Sequence, residues 1–436
     1  MRVLEERPQA RVGTHKSLIV PYAVAIMVWA LDFKAATSGG AAVFQGLLLL
    51  VYSALLFSTT AAAIRQGASF ESLWVLLLAT GVFMIDSAVV GLNLSQPPYA
   101  ILVNLIPPLI YVSASLLSYI TLAASKDELP SFLNALRLAC LVFAALRILS
   151  VYLSPGGLDV ASSRWGVISG AVVPSLGIIA VALLQRLSYV DVLVLTFNLL
   201  VTLLSVTRTL FVALAAQIAS VFLARPGALF RSYTIKGLAL FAAALMAVVA
   251  LDVAAGTGLV GRWVERLTVS GSRYGDPTAL TRSAETNFML ESFAASTESV
   301  LFGNGLAAVT SLTGPDAERA AKIVGWSSVD IHSIGYGHES YASILFVAGL
   351  FGGGGLLIMQ FVNGLQSVAL LRRIQPARRS GADAAATHIG AWGAFIVIGM
   401  LATGFLSGNL GDRSTCIWYG IGTGMLYWAR EVLKAD

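Results

Sequence analysis

Charged residues are scarce in this chain. They make up 12% of its 436 residues, about half the 25% typical of a soluble domain, which excludes an ordinary water-facing enzyme surface. There are only two cysteines. Cys140 and Cys416 both lie in apolar runs, so neither a disulfide framework nor a thiolate metal site is expected. There are four histidines, and no carboxylates fall at convincing metal-ligand spacing, so no metal and no cofactor are expected. Internal repeats are not visible. The N-terminal segment "MRVLEERPQARVGTHK" lacks a small-residue cleavage signal, so the first apolar run reads as retained.

Apolar residues, by contrast, are abundant, at 57% of the chain with a mean hydropathy of +0.80. Many runs reach the roughly 20 residues a helix needs to cross a bilayer core of about 30 Å. The expected fold is an all-α polytopic membrane bundle of about twelve transmembrane helices, partnered by membrane lipids. The spans fall at about 17–37, 40–64, 70–94, 99–125, 131–153, 165–185, 188–207, 209–224, 234–254, 339–370, 388–410 and 414–430. This gives residues 1–254 as nine helices, 255–337 as one large outer loop with short helices, and 338–436 as three further helices. The formal charge of +5 suits cytoplasmic loops better than nucleic acid, which is not an expected partner.

The seventh and eighth spans decide the topology. Arg208 interrupts "LLSVTRTLFVAL", and a single straight helix would hold it near the bilayer centre at about 2.5–3.5 kcal/mol or more. A tight turn at Thr207-Arg208-Thr209 places it at a membrane surface instead. With that turn and a cytoplasmic N-terminus, sixteen Lys and Arg fall on the inner side and four on short outer connections, as the positive-inside rule requires. Both termini are then cytoplasmic, and the 255–337 loop is on the outer face.

That loop and its borders hold most of the polar chemistry. Arg208 also reads as an interfacial anchor. Arg282 opens a helix expected over "TRSAETNFMLESFAASTES", where a cation opposes the macrodipole. His338 and Glu339, in "GYGHESYASILFVAGLFGGGG", sit where the chain re-enters the membrane, and a carboxylate suits a first helical turn. Gly337 is expected to permit a sharp bend there. Asp86 and Arg147 fall in the outer half of their spans. Pairing between them stands beside a supporting contact to substrate. Arg137 is expected to snorkel, and Asp252 to face the loop arginines. His332 rivals His338 as a base. His15 and His388 fall on the cytoplasmic side, and the glycine run suits close helix packing.

The series "TRT" after a span, "RSAE" near a helix start, "LFGNGLA" about twenty residues on, and "HESYASILFVAGLFGGG" entering the next span resembles the O-antigen ligase and polymerase superfamily. These are GT-C-type enzymes that use polyprenyl-diphosphate-linked glycans at the outer face of the bacterial inner membrane. The matching segments run from about Val206 to Gly355. The resemblance implies donor-diphosphate binding by Arg208 and Arg282 and a catalytic base at His338, with Glu339, Arg147 and Asp86 as possible supporting residues. The family commonly carries asparagine or a small polar residue after the histidine, where this chain has Glu339. The implied reaction moves a glycan from undecaprenyl diphosphate onto a lipid A–core acceptor in the periplasm. A polymerase acting on the same donor and, from another class, a secondary transporter are the alternatives.

Elementary chemistry agrees with the roles implied. Glycosyl transfer from a lipid diphosphate builds negative charge on the leaving group while an acceptor hydroxyl loses its proton. Two guanidiniums can grip such a leaving group bidentately. An imidazole suits general-base work near neutral pH.

Overall fold

A computed structural model describes residues 17–32, 39–153, 170–185, 187–226, 258–268, 276–326, 337–374 and 382–433, with isolated positions between 242 and 253. Among these residues every regular element is helical. The helices are α1 (Ile19–Val28), α2 (Gly39–Arg65), α3 (Trp74–Asn93), α4 (Pro98–Ala124), α5 (Leu129–Tyr152), α6 (Val172–Leu184), α7 (Tyr189–Ser205) and α8 (Thr209–Ala224). After them come α9 (Leu259–Thr268), α10 (Pro277–Ala294), α11 (Thr297–Phe302), α12 (Pro315–Val324), α13 (Ser340–Ala348), α14 (Gly354–Arg373), α15 (Ala382–Gly404) and α16 (Arg413–Val432).

Six segments are long and apolar enough to cross a membrane: Val43–Arg65, Glu71–Asn93, Pro98–Ala124, Lys126–Ser150, Ser340–Arg373 and Ala384–Gly404. The chain is therefore a helical protein of membrane-spanning character. Helices α6, α7 and α8 are apolar but shorter. At 1.5 Å per residue, the 17-residue α7 and the 16-residue α8 are each about 25 Å long. Most of the ninth expected span, 234–254, lies outside the described residues.

One of the less apolar long helices is deeply enclosed. Cys416 to Ala429 of α16 are all buried, and this helix packs along α4 and α15. A Cβ added at Gly420 would collide with the carbonyl oxygen of Tyr111, and one at Gly424 with that of Ser115. The two backbones thus approach as closely as small residues permit. Buried amides stitch the neighbouring helices: Gln217 donates to the carbonyls of Val173 (3.1 Å) and Phe395 (3.0 Å), and the Trp392 indole donates to that of Pro174 at 2.7 Å.

Two intramembrane arginines depart from expectation. Arg137 does not snorkel; its guanidinium meets Asp191 of α7 in a bidentate pair at 2.7 and 2.8 Å. A buried carboxylate within reach is a better partner than a distant headgroup. Asp191 is fully buried and also closes a capping box with Ser188. Asp191→Ala would leave the guanidinium unpaired, so it is expected to cost about 3–5 kcal/mol, read as a lower thermal midpoint in detergent. Arg147 does not pair with Asp86, because α5 packs on α1 and α7 whereas α3 packs on α4 and the α13–α14 span. Arg147 donates instead to the Asp32 carbonyl at 2.6 Å, and the Asp32 carboxylate holds Arg413 at 2.9 Å.

Candidate active site

The turn that carries Arg208 is built locally. Helix α7 stops because Val206 adopts a left-handed backbone (φ 48°), and Arg208 is the residue from which α8 starts. The carbonyl of Leu203 accepts the Val206 N–H of that stop and also the indole N–H of Trp263 on α9 at 3.0 Å, and the Trp263 ring packs edge-on against Phe211. Helix α9 is itself capped by Asp252, whose two oxygens accept the Leu259 and Val260 N–H groups at 2.7 and 2.8 Å. Its carboxylate thus satisfies the orphan N–H groups of a helix start.

Arg282 lies on α10, which begins earlier than expected. Asp276 is its N-cap, accepting the Thr278 N–H at 3.0 Å, and Pro277 takes the first helical position, where its missing N–H costs nothing. Arg282 therefore stands in the second turn, beyond the reach of the unfavourable macrodipole. The helix ends at Ala294, and α11 continues separately. Asp276 also forms an ion pair with Arg208, so one acidic residue both starts α10 and ties it to the α7–α8 turn. Ser283 donates to Asp316 of α12 at 2.6 Å, and Ala284, Leu312, Ala317 and Ala320 form a small apolar core between α10 and α12.

The chain then re-enters the bundle through His338 and Glu339. Gly337 packs closely: a Cβ there would lie 2.6 Å from the Met289 sulfur, so the end of that side chain would have to shift. Glu339 is the N-cap of α13, accepting the N–H groups of Tyr341 and Ala342. Burial raises its carboxyl above the ordinary value, against the pull of those two N–H groups. The position is thus a helix cap, which asparagine also fills, giving the departure from the resembled motif a structural reason. Glu339→Asn is expected to keep the fold and any activity, whereas Glu339→Ala is expected to cost about 1 kcal/mol, measured by thermal unfolding.

The glycine run does not continue one regular helix. Gly349–Gly353 form a π turn between α13 and α14, which frees carbonyls for the "FGNGLA" loop. Asn304 and Gly305 donate their N–H groups to Phe346 O (2.8 Å) and Val347 O (3.0 Å). Gly303 and Gly349, both left-handed, pass too closely for a side chain on either. The two sequence motifs thus interlock and fix α11 and the loop after it to the bundle.

These elements enclose a cavity of about 550 Å³ lined by Arg208, Arg282, His338 and Glu339 together with Asp276, Thr286 and Asn287. Four candidates separated by up to 131 positions in sequence share one wall system. Asp86 and Arg147 do not line it; Asp86 sits against Gly352 of the π turn. His332 lies outside the described residues, and His388 is buried among α15 neighbours beside Trp392. Two site residues escaped the sequence reading. Glu285, 2% exposed, accepts the His338 backbone N–H at 2.8 Å and lies 3.0 Å from its Nδ1. Asp276 is the other. The signals were present: Glu285 follows Arg282 by three, one helical turn on the same face, and Asp-Pro marks a helix start.

Two guanidiniums and an imidazole with an acidic partner, all bordering one cavity, make a site able to hold a polyanion while removing a proton. No family model matches this chain, and no curated protein does.

Proposed function

We propose that the chain is a metal-independent membrane glycosyltransferase, an O-antigen ligase that transfers a glycan from undecaprenyl diphosphate to a sugar hydroxyl of lipid A–core. The observation that carries this reading is the shared cavity of Arg208, Arg282 and His338. In the reaction, the acceptor hydroxyl oxygen bonds to the anomeric carbon as its proton passes to Nε2 of His338. The bond from that carbon to the diphosphate oxygen breaks, and its electron pair leaves with the diphosphate. Arg208 and Arg282 meet the charge that grows there, and Asp276 shares Arg208 with the donor in the bound state. Attack opposite the leaving group inverts the anomeric configuration.

The chemistry fits the periplasmic face of a bacterial inner membrane, with both termini in the cytoplasm. Purified protein in nanodiscs, given an undecaprenyl-diphosphate-linked oligosaccharide with and without lipid A–core, tests the reading. A single new product on lipid A–core supports the ligase. A ladder on the lipid carrier, independent of lipid A–core, makes it a polymerase instead. Transport of intact donor with no new glycosidic bond overturns both.

A further inference from the structure

We propose that Glu285 is a positioning residue for His338: it fixes which ring nitrogen faces the cavity and stabilises the charge that forms on the ring. The proposal rests on the transferase reading for its kinetic consequence but not for its geometry.

A single oxygen, Oε2 of Glu285, takes the backbone N–H of His338 at 2.8 Å and faces Nδ1 at 3.0 Å. The histidine is therefore held at two points, one that sets its backbone and one that sets its ring. The burial of the two side chains is opposite, 2% exposed for Glu285 and 42% for His338, so the carboxylate lies behind a ring that borders the cavity. An ionised carboxylate is an acceptor only. Nδ1 must then carry the proton, which leaves the lone pair on Nε2, the nitrogen away from Glu285. That is the tautomer a base needs if it is to take a proton from the cavity side.

The support for Glu285 is itself rigid. Helix α10 is capped by Asp276 and tied through Ser283 to Asp316. One turn below Glu285, Met289 is fully buried and accepts a contact from Ser343 of α13 at 3.4 Å. Arg282 stands one turn above on the same helix. Helix α10 thus sets the spacing between a diphosphate-binding cation and the base. When Nε2 accepts the acceptor's proton, positive charge develops on a ring whose Nδ1–H already points at a carboxylate. No proton has to move to Glu285 for this to help, as in the Ser-His-Asp arrangement.

The chain's four histidines make a direct test practical. Selective ¹⁵N labelling of imidazoles gives four ring signatures, and His338→Gln identifies its own by loss. His338 is expected to be Nδ1-protonated in the unaltered protein and to change towards Nε2-protonated in Glu285→Ala. An Nε2-protonated His338 in the unaltered protein overturns the proposal, whatever the activity proves to be. The kinetic arm uses Glu285→Gln, which keeps the shape and an acceptor but removes the charge. Its kcat is expected to fall about 10²-fold with donor KM unchanged. Unchanged kcat with an unchanged tautomer in Glu285→Ala would make Glu285 a structural tether only. Absence of transfer in the unaltered protein would count against the transferase reading, and the tautomer result would still decide the role of Glu285.

Discussion

His338→Ala is expected to lower kcat for glycan transfer about 10²–10⁴-fold, with donor binding and thermal midpoint nearly unchanged. The reasoning is geometric. The ring is 42% exposed and borders the cavity, so its removal takes away a proton acceptor without opening a void in the apolar core. The α13 start that holds it is fixed by other groups: the Glu339 cap, and Ser340, whose hydroxyl donates to Ser407 O at 2.8 Å and accepts the Asn409 N–H at 2.7 Å. The measurement is single-turnover transfer of a labelled glycan alongside donor binding by the same preparation. Equal loss of binding and turnover would instead place His338 in substrate recognition.

Arg208→Ala and Arg282→Ala are each expected to lower the rate about 10²–10³-fold, and the lysine replacements to recover only part of it. A guanidinium presents a fixed fork of donors to phosphate oxygens, while an ammonium presents a point charge. The two alanine losses are expected to fall short of adding in the double variant, because both groups act on one diphosphate. Arg208 has a second, structural role. Its ion pair with Asp276 anchors α10 to the α7–α8 turn, so Arg208→Ala is expected to lower the thermal midpoint as well as the rate. Rate measurements at matched folded fraction, with calorimetry alongside, separate the two effects. Full activity in both single variants would remove the diphosphate role.

How much of this was legible in the chain follows from which forces act locally. Arg208 in mid-run forces a break whatever surrounds it, since the cost of a buried cation is set by its own position; the structure breaks the helix at Val206 to Arg208. The order of the motifs pointed to the residues that come to share a cavity. What stayed hidden were partners chosen by tertiary contact. Asp191 finds Arg137 across 54 positions and Glu285 finds His338 across 53, and no local pattern encodes either meeting. The α10 start at Asp276-Pro277 was readable, yet the expected helix was drawn from the glycine- and proline-free stretch after it. Helix α16 shows the limit of hydropathy from the other side. Its charged ends and its small and polar residues keep it out of the strongly apolar class, yet those small residues let it sit deep in the bundle.

The claim on which everything else depends is that the cavity between α8, α10 and α13 receives the donor's diphosphate. The most direct test is electron cryo-microscopy of the protein in nanodiscs with undecaprenyl diphosphate. The expected result is a diphosphate in contact with the guanidiniums of both Arg208 and Arg282, with the His338 ring facing the side from which an acceptor would arrive. A diphosphate ordered elsewhere on the protein, with this cavity empty, would contradict it.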